Sequence, residues 1–118
     1  MEDGIMAEVV AFGEAMLRLS PPNFRRLEQA TSLDVAVGGA ELNTAVCLGR
    51  LGRPAAWVSR LPRNALGRLV TNYARSAGVS IDHVSWTDDD RVGIYFVEFG
   101  AAPRASSVLY DRKGSAFA

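Results

Sequence analysis

The stretch Val37-Gly38-Gly39-Ala40-Glu41-Leu42-Asn43-Thr44-Ala45 constrains the fold more than any other. An alternating apolar run, Leu33 to Val37, ends in two glycines, and a helical pattern starts at once behind them. The chain must therefore pass from strand to helix within two residues. Glycine permits this in two ways. It allows a tight turn that a side chain would obstruct, and it lets backbone N–H groups come close to a ligand. A helix N-terminus adds unpaired donors and partial positive charge. Glu41 and Asn43 add side-chain acceptors and donors in the first turn. The combination suits a polar, oxygen-rich small molecule, and it also suits a turn that needs glycine for geometry alone.

The rest of the chain supplies an α/β pattern around this junction. Glu8-Val9-Val10-Ala11-Phe12-Gly13 predicts a buried first strand closed by glycine. Glu14 to Ser20 alternates, with Ala15, Leu17 and Leu19 on one side and Met16 and Arg18 on the other, which predicts a half-exposed strand. Ser20-Pro21-Pro22-Asn23 breaks it. A helix is expected from about Ala40 to Leu51, with a stripe of Leu42, Ala45, Val46 and Gly49. Cys47, Leu48 and Leu51 widen that stripe, so the helix is expected to be covered over most of its girth. Gly52 and Pro54 end it. Ala55 to Ser59 reads as a buried strand. Asn64 can cap a second helix carrying Leu66, Leu69, Val70, Tyr73, Ala74 and Ala77 at helical spacing. Gly78 closes that helix, and Val79 to Trp86 is expected to be another strand. Val92–Phe99 and Ser106–Asp111 predict a hairpin around Gly100-Ala101-Ala102-Pro103. The order implies a mostly parallel central sheet flanked by helices, with extra strands set apart from it.

Composition removes several classes of function. Thirteen basic and thirteen acidic residues cancel among 118, with no charged half. Nothing suggests a nucleic-acid groove or an electrostatic membrane anchor. The arginines at 25, 26, 50, 53, 60, 63, 68 and 75 are scattered and are expected to solvate helix faces. No run approaches about 18 apolar residues, so no membrane span is expected. Met1 to Met6 does not read as a signal peptide. The single cysteine, Cys47, excludes an intrachain disulfide and is expected to pack in the core; a reducing, cytoplasmic setting follows. One His and one Cys leave no paired metal-ligand spacing. Asp88-Asp89-Asp90 reads as a solvated turn, since consecutive carboxylates cannot converge on one ion.

Several motifs carry a family resemblance. They are Phe12-Gly13-Glu14, the Val37–Ala45 segment, Leu48-Gly49-Arg50-Leu51-Gly52 and Leu66-Gly67. Gly93-Ile94-Tyr95 and Leu109-Tyr110-Asp111-Arg112-Lys113-Gly114-Ser115-Ala116 complete the set. On these the chain resembles the ribokinase-like (PfkB) carbohydrate kinases and looks most like their 2-keto-3-deoxygluconate kinase branch. The resemblance covers about residues 8 to 118 and only the N-terminal part of the family's length. It implies a ribokinase-like α/β fold with a small β-sheet lid, truncated, so that residues 1–118 hold the sugar-binding and lid portion without the nucleotide-binding half. It implies that Gly38, Gly39 and Asn43 line a sugar site, with Asn43 bonding hydroxyls. Tyr95 would reach the sugar from the lid, Tyr110 and Arg112 would lie over it, and Arg112 would meet an acid sugar's carboxylate. It also implies a homodimer through the lid, with Leu17, Leu19, Val35, Val37, Phe96 and Phe99 placed away from the helical core.

Two departures from the pattern stand out. Pro62-Arg63-Asn64 replaces a common Gly-x-Asp before the second helix, and Asn can still cap. Asp111 stands where an aromatic is usual; an acid next to Arg112 could pair with it and lower its attraction for a carboxylate, which leaves the exact substrate open. The family's Gly-Ala-Gly-Asp segment, which holds the catalytic base and anion hole, does not occur here. No catalytic residue is therefore assigned, and the base is expected beyond residue 118. ATP and Mg2+ are expected for the complete enzyme, with neither bound by this segment alone. The leading reading is the N-terminal part of an ATP-dependent kinase for 2-keto-3-deoxygluconate or a related ketose. The alternative is a non-catalytic sugar-binding or dimerisation module. A dinucleotide-binding half would need G-x-G-x-x-G, which Val37–Leu42 does not provide.

Overall fold

A computed structural model describes residues 7–117. Two parallel strands, β1 (Val9–Phe12) and β4 (Ala55–Val58), begin the central layer. Between them the chain makes an excursion through β2 (Met16–Ser20), two single 3-10 turns, β3 (Asp34–Gly38) and helix α1 (Ala40–Arg50). After β4 come β5 (Arg60–Pro62), α2 (Ala65–Ser76), β6 (Ser85–Thr87), β7 (Gly93–Glu98) and β8 (Ser107–Asp111). β2, β3, β7 and β8 form a separate four-stranded sheet in the order β3-β2-β7-β8. Its centre pair, β2 and β7, is parallel, and its outer pairs are antiparallel. This is the expected α/β layer with a small β-sheet beside it.

The core lies between the central strands, the two helices and one end of that sheet. Leu42, Ala45 and Val46 are the buried face of α1, and Val70 and Ala74 that of α2. Trp57 is fully buried, and its indole N–H donates to the Gly13 carbonyl at 3.1 Å, which satisfies the one polar group of a large apolar side chain. Asn64 caps α2 as expected, its Oδ1 accepting from Leu66 N and Gly67 N at 3.0 Å each.

Five local expectations are corrected. The β1 strand is not buried: Val10 is 61% and Phe12 67% exposed, because β1 pairs only with β4 among the described residues. Helix α1 is covered on one face only, which leaves Cys47 and Leu51 exposed rather than packed. The segment from Val79 to Trp86 is not one strand. Ser80 bridges Ala56, a turn closed by Val84 N–H to the Ile81 carbonyl intervenes, and the chain resumes as β6 beside the short β5. Arg60 and Arg63 do not solvate helix faces; they pair with Asp90 and Asp88 of the acidic turn. The six apolar residues expected on one free face of the small sheet also divide. Leu17 is 3% exposed in the core and Val37 packs against it. Phe99 lies on the other face, beneath the Arg18 guanidinium at 5.7 Å from the ring centroid. Leu19, Val35 and Phe96 share the outer part of the expected face with Leu109.

Candidate functional site

Strand register decides which side chains meet. Residues paired across neighbouring strands share a face. Gly38, Met16 and Gly93 form one cross-strand row, and Arg112 follows directly after β8 beside Gly93. Ala36, Arg18, Tyr95 and Tyr110 form the next row on the same face. Gly38, Tyr95, Tyr110 and Arg112, four of the six residues singled out from the sequence, thus lie together on one surface of the sheet.

The glycine pair is explained by what crowds it. A Cβ at Gly38 would stand inside contact distance of the Tyr95 hydroxyl, so that hydroxyl reaches over the β3 end only because position 38 is bare. Gly39 caps α1 at φ +144, a conformation closed to L side chains, and a Cβ there would sit 2.7 Å from the Glu14 carbonyl. Tyr95 and Tyr110 stack with ring centroids 5.8 Å apart. Together they make an aromatic platform whose hydroxyls can exchange hydrogen bonds with a polar ligand.

Next to this platform lies an open cleft of about 400 Å3. Gly39 and Glu41 from the start of α1, Glu14, Arg112 and the aromatic pair Phe12 and Phe117 line it. Those two rings meet at 5.5 Å between centroids. The N-terminus of α1 therefore opens on the cleft, beside one guanidinium. Arg112 does not pair with Asp111. Its Nη2 donates to Glu14 Oε1 at 2.5 Å, while Asp111 accepts from Arg91 at 2.9 Å. Side chains alternate along extended backbone, and Arg112, one residue past the end of β8, points away from Asp111, which is why the two find different partners.

Asn43 is placed elsewhere. Its Oδ1 accepts from the Tyr73 hydroxyl at 3.2 Å, and it lines a second cleft of about 590 Å3 with Arg18, Val37 and Tyr73. Sequence reasoning gave Arg18, Glu14 and Phe117 no role. Arg18 stands in the row of the two tyrosines, has no ion-pair partner among the described residues, and keeps a buried Nε without a hydrogen bond. The alternation of Glu14–Ser20 already put Arg18 opposite the core-facing residues, a signal that could have marked it. Among the described residues no group of three or more His, Cys, Asp or Glu is placed to hold a metal ion. No helix among them is long and apolar enough to cross a membrane.

The strand–Gly-Gly–helix junction continues from an edge strand of the four-stranded sheet, which stands beside an α/β layer, and the sequence matches the pfkB family carbohydrate kinases over residues 6–118. The chain belongs to that family. It is 52% identical over 110 residues to a 2-dehydro-3-deoxygalactonokinase of Haloferax volcanii, covering 93% of this chain and 34% of the relative. It is 30% identical to a 2-dehydro-3-deoxygluconokinase of Thermoproteus tenax, with 94% and 34% covered. The crystal structure of 2-dehydro-3-deoxygluconokinase from Thermotoga maritima superposes with a TM-score of 0.90 at 46% identity, over 95% of this chain and 34% of that one. The chain spans about a third of the length of the relatives it matches. The ribokinase-like expectation for the fold holds, including its lid.

Proposed function

We propose that this chain is the sugar-binding and lid portion of an ATP-dependent carbohydrate kinase whose substrate is a keto-deoxy sugar acid. The observation that carries the reading is the shared lid face. Gly38, Tyr95, Tyr110 and Arg112 stand together there, beside a cleft that opens on the α1 N-terminus. Backbone donors and tyrosine hydroxyls suit a polyol, and one guanidinium at the rim suits its carboxylate. Asn43 would join them on its other side once the Tyr73 hydroxyl is exchanged for a sugar hydroxyl. The names of the relatives point to the same class of substrate.

Phosphoryl transfer needs a phosphate cradle, charge clamping and a group to orient the attacking hydroxyl. ATP, Mg2+ and the base would be supplied from outside this segment, in a cytoplasmic enzyme. The outer lid face, with Leu19, Val35, Phe96 and Leu109, would pair with a second copy, as an exposed apolar sheet face favours. A coupled ADP-release assay tests the reading. The 118-residue chain alone should give no turnover. The chain joined to the remaining two-thirds of the Haloferax volcanii relative should turn over 2-keto-3-deoxygluconate or its galactose counterpart in preference to fructose. A joined protein that is folded yet phosphorylates only neutral sugars would refute the sugar-acid assignment.

A further inference from the structure

Glu14 is the one charged residue among the buried residues described, with its side chain 7% exposed. Burying a carboxylate is costly unless its oxygens are matched. Both are. Oε1 accepts from Arg112 Nη2 at 2.5 Å, and Oε2 accepts from the Ser115 hydroxyl at 2.7 Å. Ser115 is itself 4% exposed. A Cβ on Gly93 would stand 2.8 Å from Glu14 Oε2 and 3.0 Å from Arg112 Cβ, so the carboxylate fits only over a bare backbone. The chain on either side of Arg112 is also held. Arg91 donates to Asp111 Oδ1 at 2.9 Å and to the Lys113 carbonyl at 2.8 Å.

Arg112 nevertheless remains half exposed, at 49%, and lines the cleft. A guanidinium has five N–H donors, and Glu14 takes one through Nη2. The others stay available to a second anion. A long side chain fixed before its ligand arrives loses less freedom on binding. We propose that Glu14 is the positioning residue that sets the Arg112 guanidinium at the cleft rim, so that the carboxylate of a sugar acid meets a cation already oriented. This deepens the function proposed above and rests on it for the identity of the ligand. It does not rest on it for the Glu14–Arg112 coupling.

Nitrogen-15 NMR of the arginine side chains in the 118-residue chain tests the coupling. A paired guanidinium rotates slowly about Nε–Cζ and shows separate Nη signals; a free one averages them. Arg112 should show separate signals in the wild type. They should average in Glu14→Gln and in Glu14→Asp, whose shorter arm does not reach. Arg91 and the Trp57 indole should stay unchanged and report an intact fold. Arg112 signals identical in wild type and Glu14→Gln would overturn the proposal. If Glu14→Gln does not fold, Glu14→Asp decides, since it keeps the buried charge and withdraws only the reach to Arg112. Averaged Arg112 signals are then expected, and signals that stay separate overturn the proposal.

Titration separates positioning from a merely structural role. Affinity for 2-keto-3-deoxygluconate should fall by roughly two- to tenfold in Glu14→Gln, the scale of ordering one long side chain on binding, while affinity for fructose is unchanged. Equal losses for both sugars would overturn the positioning role. A wild type that binds neither sugar would count against the sugar-acid reading, and the guanidinium signals would still decide the assignment of Glu14.

Discussion

Replacing Asn64 by Ala should lower the melting temperature by about 4 °C, from a loss of about 1 kcal/mol in helix capping. The estimate follows from two contacts. Asn64 has extended backbone dihedrals, and its Oδ1 accepts from Leu66 N and Gly67 N, both at 3.0 Å. Alanine leaves both donors without that acceptor at the first turn of α2. Unfolding entropy of about 2.1 cal/mol/K per residue gives roughly 0.25 kcal/mol/K for a chain of 118 residues. Dividing about 1 kcal/mol by that slope gives the shift. Asn64→Gly should cost only a few tenths of a kcal/mol, hence about 1 °C, because glycine is a fair N-cap. Asn64→Asp should melt at or above the wild type, since the acceptor is kept and a negative charge at a helix N-terminus adds about 0.3–1 kcal/mol. Circular dichroism melts at neutral pH and low salt measure all three. If Asp melts below Ala, or Ala melts with the wild type, Asn64 is not capping and the account of α2 is wrong.

Further outcomes are expected elsewhere. Leu42→Ala removes a fully buried side chain of α1 and should destabilise by about 2–5 kcal/mol in urea denaturation. The Leu27 backbone N–H, 2.8 Å from Glu98, holds the Glu98 carboxyl below its usual range, with Arg104 assisting. A depressed folded value stabilises above the unfolded pKa and is lost as pH falls through the folded one. Glu98→Gln should therefore flatten the acid limb of the stability profile while leaving its neutral-to-basic limb unaltered in slope. Val10, 61% exposed on a strand with one open edge among the described residues, should drive self-association. Val10→Lys should slow light-scattering growth on warming without lowering the melting temperature. For the joined kinase, sedimentation should show a dimer that Val35→Glu together with Leu109→Glu dissociates; a monomer before mutation would remove the lid-pairing proposal.

Much of this fold was legible because local chemistry agreed with tertiary packing. The Gly38-Gly39 junction, the α1 stripe of Leu42, Ala45 and Val46, the Asn64 cap and the β7–β8 hairpin each carry a short-range signal that the structure keeps. The misread elements depend on what lies across from them. Val9 and Val10 have the pattern of a buried strand, yet burial needs a second neighbour, and β1 has only β4 among the described residues. Cys47 belongs to the apolar girth of α1, but the packing partner covers only one side. Val79, Ile81, Val84 and Trp86 are apolar enough to suggest one strand, yet a turn over Ile81–Val84, which carries Asp82 and His83, shifts the pairing from β4 to β5. At the site, Tyr95 and Tyr110 were found by motif, whereas the Glu14–Arg112 pair spans 98 positions and no spacing rule links them.

The lid face and the Gly38-Gly39 junction are proposed to act as one sugar-binding surface. Amide chemical-shift mapping of the 118-residue chain with 2-keto-3-deoxygluconate tests it most directly. Saturable shifts should concentrate at Gly38, Gly39, Tyr95, Tyr110 and Arg112 and vanish in Gly38→Ala, where the added methyl collides with Tyr95. Saturable shifts confined to other parts of the chain, or the same shifts persisting in Gly38→Ala, would contradict it.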